Sequence, residues 1–383
     1  MLRYFFVLAL GLFLLAPLTA QKPVALRAFT LFHGKQVQAF ELFNPSTEAK
    51  EDVLSYVRAA RSFTIRPEVL QAIHQADAGM IQLILPEPLD IRLDLYRTSI
   101  YSAGARILTS DGRSYEPDRN ILFYRGIIDG NVNSLAIVTI LEDKVQIVFS
   151  DPYGNRRIQP AEDGSYILFY DQDIKVTKHI DCFTPDSGKP ISLDDQKELD
   201  RRTMTGNCVE IYVEADHQSY LDNGSSVPNT EAWVASLFNE VTTLYANESI
   251  PIEVSDVLVY SNWDPFVGFN NTGDVLNAFR LHIDTLNYNG RLAHLLSTRT
   301  LGGGIGYVDV LCDNTYQCAF SANLTTTIIH FPTYSWNVEV VTHEMGHNFG
   351  SYHTHACVWN GNNTQIDDCG NVWAFNNGQP VEG

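Results

Sequence analysis

His343-Glu344-Met345-Gly346-His347-Asn348-Phe349-Gly350-Ser351-Tyr352-His353 is the stretch whose reading decides the fold. Its spacing, H-E-x-x-H-x-x-G-x-x-H, predicts a catalytic zinc site. His343 and His347 are four residues apart, so on an α-helix they share one face and both imidazoles reach one metal ion. Glu344 lies one residue round the helix, displaced from that face, and suits contact with water at the metal rather than with the metal itself. Gly350 can take positive φ and stop the helix. The chain then reverses and delivers His353 as third ligand. Three imidazoles leave a fourth zinc position open, which marks a catalytic rather than a structural site.

The flanking sequence agrees. Trp336, Val340 and Val341 are spaced as on one helical face, and the pattern continues through Met345. A bare H-E-x-x-H occurs by chance. The glycine and third histidine at fixed offsets weigh against the competing reading, an amphipathic helix with surface histidines. The eleven-residue pattern is the metzincin signature, and Gly346 with the Gly-His-Asn-Phe-Gly run resembles the reprolysin (ADAM and snake-venom) branch. Gly304-Ile305-Gly306-Tyr307-Val308-Asp309-Val310-Leu311-Cys312 resembles the strand that lines the substrate cleft in those enzymes. One departure is visible. ADAM proteins usually carry aspartate after the third histidine, where Thr354 and His355 stand here, which points to a divergent, bacterial-type group.

The resemblance implies an α+β chain. Its catalytic domain would be metzincin-like, a twisted mixed sheet plus a zinc helix, preceded by a β-rich prodomain. It implies Zn²⁺ as cofactor, held by His343, His347 and His353, with Glu344 as catalytic base, and protein or peptide substrates. A structural Ca²⁺ has no signature readable here. Metzincins also carry a Met-turn after the third histidine. The methionines are Met1, Met80, Met204 and Met345, none beyond His353, so the expectation is a catalytic domain truncated before its Met-turn and inactive by itself.

The chain has 383 residues, enough for two domains, with 45% apolar and 19% charged residues. That composition predicts packed cores rather than disorder. A formal net charge of −19 argues against nucleic-acid binding and against an anionic membrane surface. Arg3, the apolar run Tyr4 to Leu15 and the small residues before Gln21 read as a signal peptide over 1–20. The run is too short to span a bilayer comfortably, so a secreted protein without a membrane span is expected. In an exported protein the six cysteines are expected to form disulfides. Local pairs would be Cys312 with Cys318 and Cys357 with Cys369, although sequence leaves connectivity and oligomeric state open.

Three regions follow one another. Residues 21–202 read as a β-rich propeptide with a linker. Strand-like patterns fall at 81–85, 91–95, 120–124, 134–141, 144–150 and 165–170, with turns at Asp111-Gly112, Asp129-Gly130 and Tyr153-Gly154-Asn155. Tyr124 to Ser134 resembles reprolysin-type propeptides. Thr184 to Arg202 is Pro- and Gly-containing, charged, and ends in Arg201-Arg202, a site for trypsin-like processing that predicts a mature terminus near Thr203. Residues 203–383 read as the catalytic domain. A strand over 208–215 leads to a helix over 231–247 and a strand over 252–260. A helix over 274–286, a strand over 291–298 and a flexible glycine rim at 302–306 precede the cleft strand and the zinc helix.

Cys182, in Ile180-Asp181-Cys182-Phe183-Thr184, stands at the end of the propeptide. Zinc favours deprotonated cysteine, so this thiolate could fill the open position and hold the enzyme latent, as in reprolysin-like zymogens. The local sequence departs from their Cys-Gly-Val pattern, and a disulfide to Cys208 is the competing assignment. His355 reads as a loop residue or a neighbour of the ligands. The leading functional expectation is a secreted zinc endopeptidase precursor. The alternative is a non-enzymatic adhesin or glycan- or protein-binding protein that retains the fold; the intact Glu344 speaks against it.

Overall fold

The computed structural model describes residues 23–45, 47–49, 51–161, 163–175, 182–184, 208–311, 313–326, 333–359, 364–367, 373–376 and 379–382. The expected signal segment, Arg201-Arg202 and all of the linker after Thr184 lie outside these residues. Among the described residues no helix is long and apolar enough to cross a membrane.

The N-terminal region is built on period-two burial. In Met80–Leu85 the side chains of Ile81, Leu83 and Leu85 are buried and the alternate ones only partly so. In chain order its strands are β1 (Ala39–Phe40), β2 (Thr47–Glu48), β3 (Arg61–Phe63), β4 (Met80–Leu85), β5 (Ile91–Thr98), β6 (Tyr101–Thr109), β7 (Ser114–Tyr115), β8 (Leu122–Ile128), β9 (Asn131–Ile140), β10 (Val145–Asp151), β11 (Gly154–Pro160) and β12 (Tyr166–Tyr170). Ten of them form one sheet in the order β1-β4-β5-β8-β9-β10-β11-β12-β3-β2, antiparallel except for β1 with β4. Its core gathers Phe40, Phe63, Leu83, Leu95, Tyr124, Val138, Phe149 and Leu168. The strands expected from the sequence are all there. Helices α1 (Pro23–Phe32), α2 (Glu51–Tyr56) and α3 (Pro67–Ala76) were not expected in a region read as mostly β.

β6 and β7 leave this sheet altogether. They continue a second sheet whose other strands are β13 (Val209–Ala215), β14 (Ile252–Val259), β15 (Leu292–Leu296), β16 (Gly304–Gly306) and β17 (Cys318–Ser321). The order is β16-β17-β15-β13-β14-β6-β7. The pairs β17-β15, β15-β13, β13-β14 and β14-β6 are parallel; β16 runs antiparallel to β17, and β7 to β6. A parallel strand covered on both faces reads as an unbroken apolar run, and every residue of β15 is buried.

Helices cover the two faces. After the short α4 (His217–Asp222), α5 (Val227–Asn247) lies on one face together with α7 (Thr333–Asn348), sharing a core of Trp233, Leu237, Phe238, Val241, Val340, Val341 and Met345 with Ile211, Val213 and Val254. On the other face α6 (Thr272–Ile283) sets Val275, Leu276 and Phe279 against Tyr212, Leu295 and Phe320. α5 starts earlier than its apolar spacing suggests because Ser226 caps it, its hydroxyl accepting from the Asn229 amide, with Pro228 in the first turn. Asn271 caps α6 in the same way through the Asp274 amide. Beyond α7, β18 (Trp373–Asn376) and β19 (Gln379–Glu382) form a separate hairpin. The cleft strand is shorter than expected: only Gly304–Gly306 pairs in the sheet, and β17, which had no counterpart in the sequence reading, separates it from β15. The chain is thus a mixed α and β protein.

Candidate active site

α7 runs behind the sheet edge formed by β16 and β17 and carries His343, Glu344 and His347. Its C-terminal end is tied down by several bonds. The Asn348 amide donates to the carbonyls of Tyr307 (2.8 Å) and Cys318 (3.0 Å), and Asp309 N donates to His347 O at 2.9 Å. Earlier in the helix the Tyr245 hydroxyl donates to the Thr342 carbonyl at 2.8 Å. The helix stops at Gly350, whose φ of 97° an L side chain rarely adopts. Gly350 N donates to His347 O and Ser351 N to Gly346 O, and the reversed chain returns His353 to the helix.

The three predicted imidazoles do converge. The Nε2 atoms of His343 and His347 are 3.1 Å apart, and the His353 ring lies 5.2 Å and 4.8 Å from theirs. His347 Nδ1 donates to the Ser351 carbonyl at 2.7 Å, which turns Nε2 toward the cluster. The ring of His355 stacks on His353, with centroids 4.9 Å apart and planes at 8°. The Trp359 indole N–H donates to the His353 carbonyl at 2.7 Å.

Cys182 completes the group. Its Sγ is 3.4 Å from His347 Nε2, and one ligand atom from each of Cys182, His343, His347 and His353 lies within 4.8 Å of every other. Tetrahedral zinc with bonds of about 2.0–2.3 Å sets its ligand atoms roughly 3.3–3.6 Å apart. The 3.4 Å separation falls in that range and the 3.1 Å one just short of it, and the N₃S donor set suits that ion. Burial and the neighbouring charge of Glu344 push the Cys182 thiol up.

Glu344 is fully buried beneath β16. Burial pushes its carboxyl up to about 8, opposed by hydrogen bonds from Cys182 and Thr184. Oε2 is 3.7 Å from Cys182 Sγ and 3.5 Å from Thr184 Oγ1, whereas Oε1 has no hydrogen-bond partner among the described residues. The space above the carboxylate exists because β16 is glycine at alternate positions. A Cβ on Gly304 would stand 2.5 Å from Glu344 Cγ, and one on Gly306 would stand 2.7 Å from the Glu344 carbonyl oxygen. The glycine run was read as a flexible rim; its two paired members are instead the close-approach surface for Glu344.

Residues 182–184 lie along this strand. Cys182 bridges to Gly304 in parallel sense, and Phe183 N donates to Gly304 O at 3.1 Å. Gly306 N donates to the Thr184 hydroxyl at 2.9 Å. Thr184 escaped the sequence reading; its offset of two from Cys182, which returns a strand residue to the same face, was the available signal.

Cys182, Cys208, Cys318 and Cys357 are free thiols. The competing Cys182–Cys208 disulfide is therefore not formed, since Cys182 sits among the histidines and Cys208 is exposed at the start of β13. Cys318 and Cys357 are the described halves of the two expected local disulfides. Cys318 is buried in the apolar layer under α6, and the partners named for these two, Cys312 and Cys369, lie outside the described residues.

The profile of metallo-peptidase family M12, Reprolysin_5, matches residues 205–374. The zinc metalloproteinase-disintegrin-like atrase-B of Naja atra is 22% identical over 287 residues, covering 69% of this chain and 46% of the relative. The chain thus spans about half the length of that relative. A solved structure titled as a chaperone-substrate complex aligns with 73% of this chain and 36% of its own at a TM-score of 0.31 and 10% identity. With the histidine cluster and the family profile on the same segment, residues 205–374 belong to the reprolysin-like metzincins of metallopeptidase family M12.

Proposed function

We propose that the protein is a secreted zinc endopeptidase precursor, with a signal peptide over 1–20, a propeptide over 21–202 and a catalytic domain over 203–383. The observation that carries this reading is the convergence of three imidazoles beside a buried carboxylate at the edge of a sheet. His343, His347 and His353 hold the metal. Zinc, when bound, supplies Lewis acidity toward water and the scissile carbonyl. Glu344 takes a proton from the attacking water and delivers it to the leaving amine nitrogen. A peptide substrate lies extended along β16, taking the backbone positions that Phe183 now uses on Gly304.

In the precursor, Cys182 fills the open ligand position and Thr184 covers the base, so the same strand edge holds the chain's own segment in place of substrate. The separations of Cys182 Sγ and Thr184 Oγ1 from His347 and Glu344 support this latent state. Glu344→Gln should retain about one zinc per chain and lose peptide hydrolysis by several orders of magnitude. Retained turnover with full metal content would sink the assignment of the base. Cys182→Ser should give a precursor that cleaves peptide, or itself, without added protease; a variant as silent as the parent would remove the latch.

A further inference from the structure

The N-terminal region does more than reach the histidines. β6 extends the catalytic sheet at β14, in parallel register from Tyr101 opposite Val254 to Thr109 opposite Val259. Val254 N donates to Ile100 O at 2.7 Å, and Ser110 N donates to Val259 O at 3.1 Å. Where the register shifts, the Asp256 carboxylate accepts from Arg106 N at 2.7 Å in place of a ladder carbonyl. The side chains join as well. Ile100, Ile107, Ile121 and Phe123 pack in one continuous core with β13, α5 and β14.

α5 is covered by the same region on its second face. That face is polar and buried. Asn239 donates to the Val138 carbonyl (3.1 Å) and the Thr139 hydroxyl (2.9 Å). Arg125 donates to Thr242, Asp118 N donates to Glu231, and Arg157 pairs with Glu240 at 3.0 Å with both side chains less than a tenth exposed. None of these contacts involves Cys182 or a histidine of the cluster. Loss of β6 would strand the backbone donors and acceptors of β14 at a bare edge and uncover the shared apolar core.

We propose that the β14 edge and the polar face of α5 form a strand-accepting interface that holds the N-terminal region as a non-covalent subunit once the chain is cut between residues 185 and 207. Cutting the linker then severs the chain without separating its parts, and opening of the histidine cluster is a distinct event from departure of β6. The proposed maturation site supplies only the setting, because the contacts hold whatever chemistry the cluster performs.

The test uses the full chain with a site-specific protease sequence inserted after Pro190. After complete cutting, size exclusion and native mass spectrometry at low micromolar concentration should find one 1:1 complex in both 0.15 M and 1 M NaCl. Amide exchange over Ile252–Val259 should stay as slow as in the uncut chain. Ile107→Asp, which sets a charge in the shared core, should lower retention at least tenfold on dilution. Arg157→Leu, milder for folding, should do so if the first variant does not fold. Two separate species from the parent, or full retention by the folded variants, would overturn the proposal. Every readout is mass or exchange, so failure of the catalytic reading leaves this test intact.

Discussion

Gly304→Ala separates positioning of the Glu344 carboxylate, the proposed base, from folding. Gly304 lies outside the positive-φ region that L side chains avoid, so the conflict at alanine is one of space. The new Cβ would lie 2.5 Å from Glu344 Cγ, where carbon atoms need about 3.5–4.0 Å. The Glu344 side chain must therefore retreat by about 1 Å or more, and it is the flexible member of the pair. A displacement of that size at a reacting group costs on the order of 10²-fold in rate. The helix backbone need not move, so metal content should stay at the parent level. Gly306→Ala is the contrasting case. Its Cβ would meet the Glu344 carbonyl oxygen at 2.7 Å, a backbone atom that cannot rotate away. That variant should lose stability as well as rate. The assay is peptide hydrolysis in a Cys182→Ser background, with zinc content and denaturant unfolding measured on the same samples. Parent-level hydrolysis by Gly304→Ala, or a zinc loss equal to its rate loss, would refute the argument that this glycine makes room for the base.

Alanine at His343, His347 or His353 should leave the chain unable to retain zinc through dialysis, unlike Glu344→Gln, which metal analysis resolves directly. Asn348→Ala removes both donors that tie α7 to Tyr307 and Cys318, and chemical denaturation should register a loss of about 2–3 kcal/mol. Glu231 is pushed up to about 7, first by burial and then by the charge of Asp118, so its protonated form is favoured in the folded chain. Its contribution to stability is fully present below about pH 4.5 and lost as pH rises through about 7. Glu231→Gln, which can still accept from Asp118 N, should match the parent at pH 4 and exceed it at pH 8 by up to about 3 kcal/mol; a constant difference across that range would contradict the sign.

The histidine cluster was legible in the sequence because its geometry is local. Offsets of four and ten residues, with one glycine between, are enough for a helix and its reversal to bring three imidazoles together. The alternating strands of the first sheet and the apolar faces of α5 and α6 were legible for the same reason, since burial on one side writes a period into the chain. What the sequence could not show is what meets across long separations. Cys182 and His347 are 165 residues apart, and it is the sheet edge laying residues 182–184 along β16 that brings the thiol to the imidazoles. Glycine at 304 and 306 looked like looseness and proved to be close approach, because the atom it spares belongs to Glu344, some 40 residues on. Hardest to foresee was β6, which pairs with β14 about 150 residues later. Period two tells a strand which face is buried, but backbone hydrogen bonds are the same for every residue. The choice of sheet therefore fell to tertiary packing, where Ile100 and Ile107 found the core under α5.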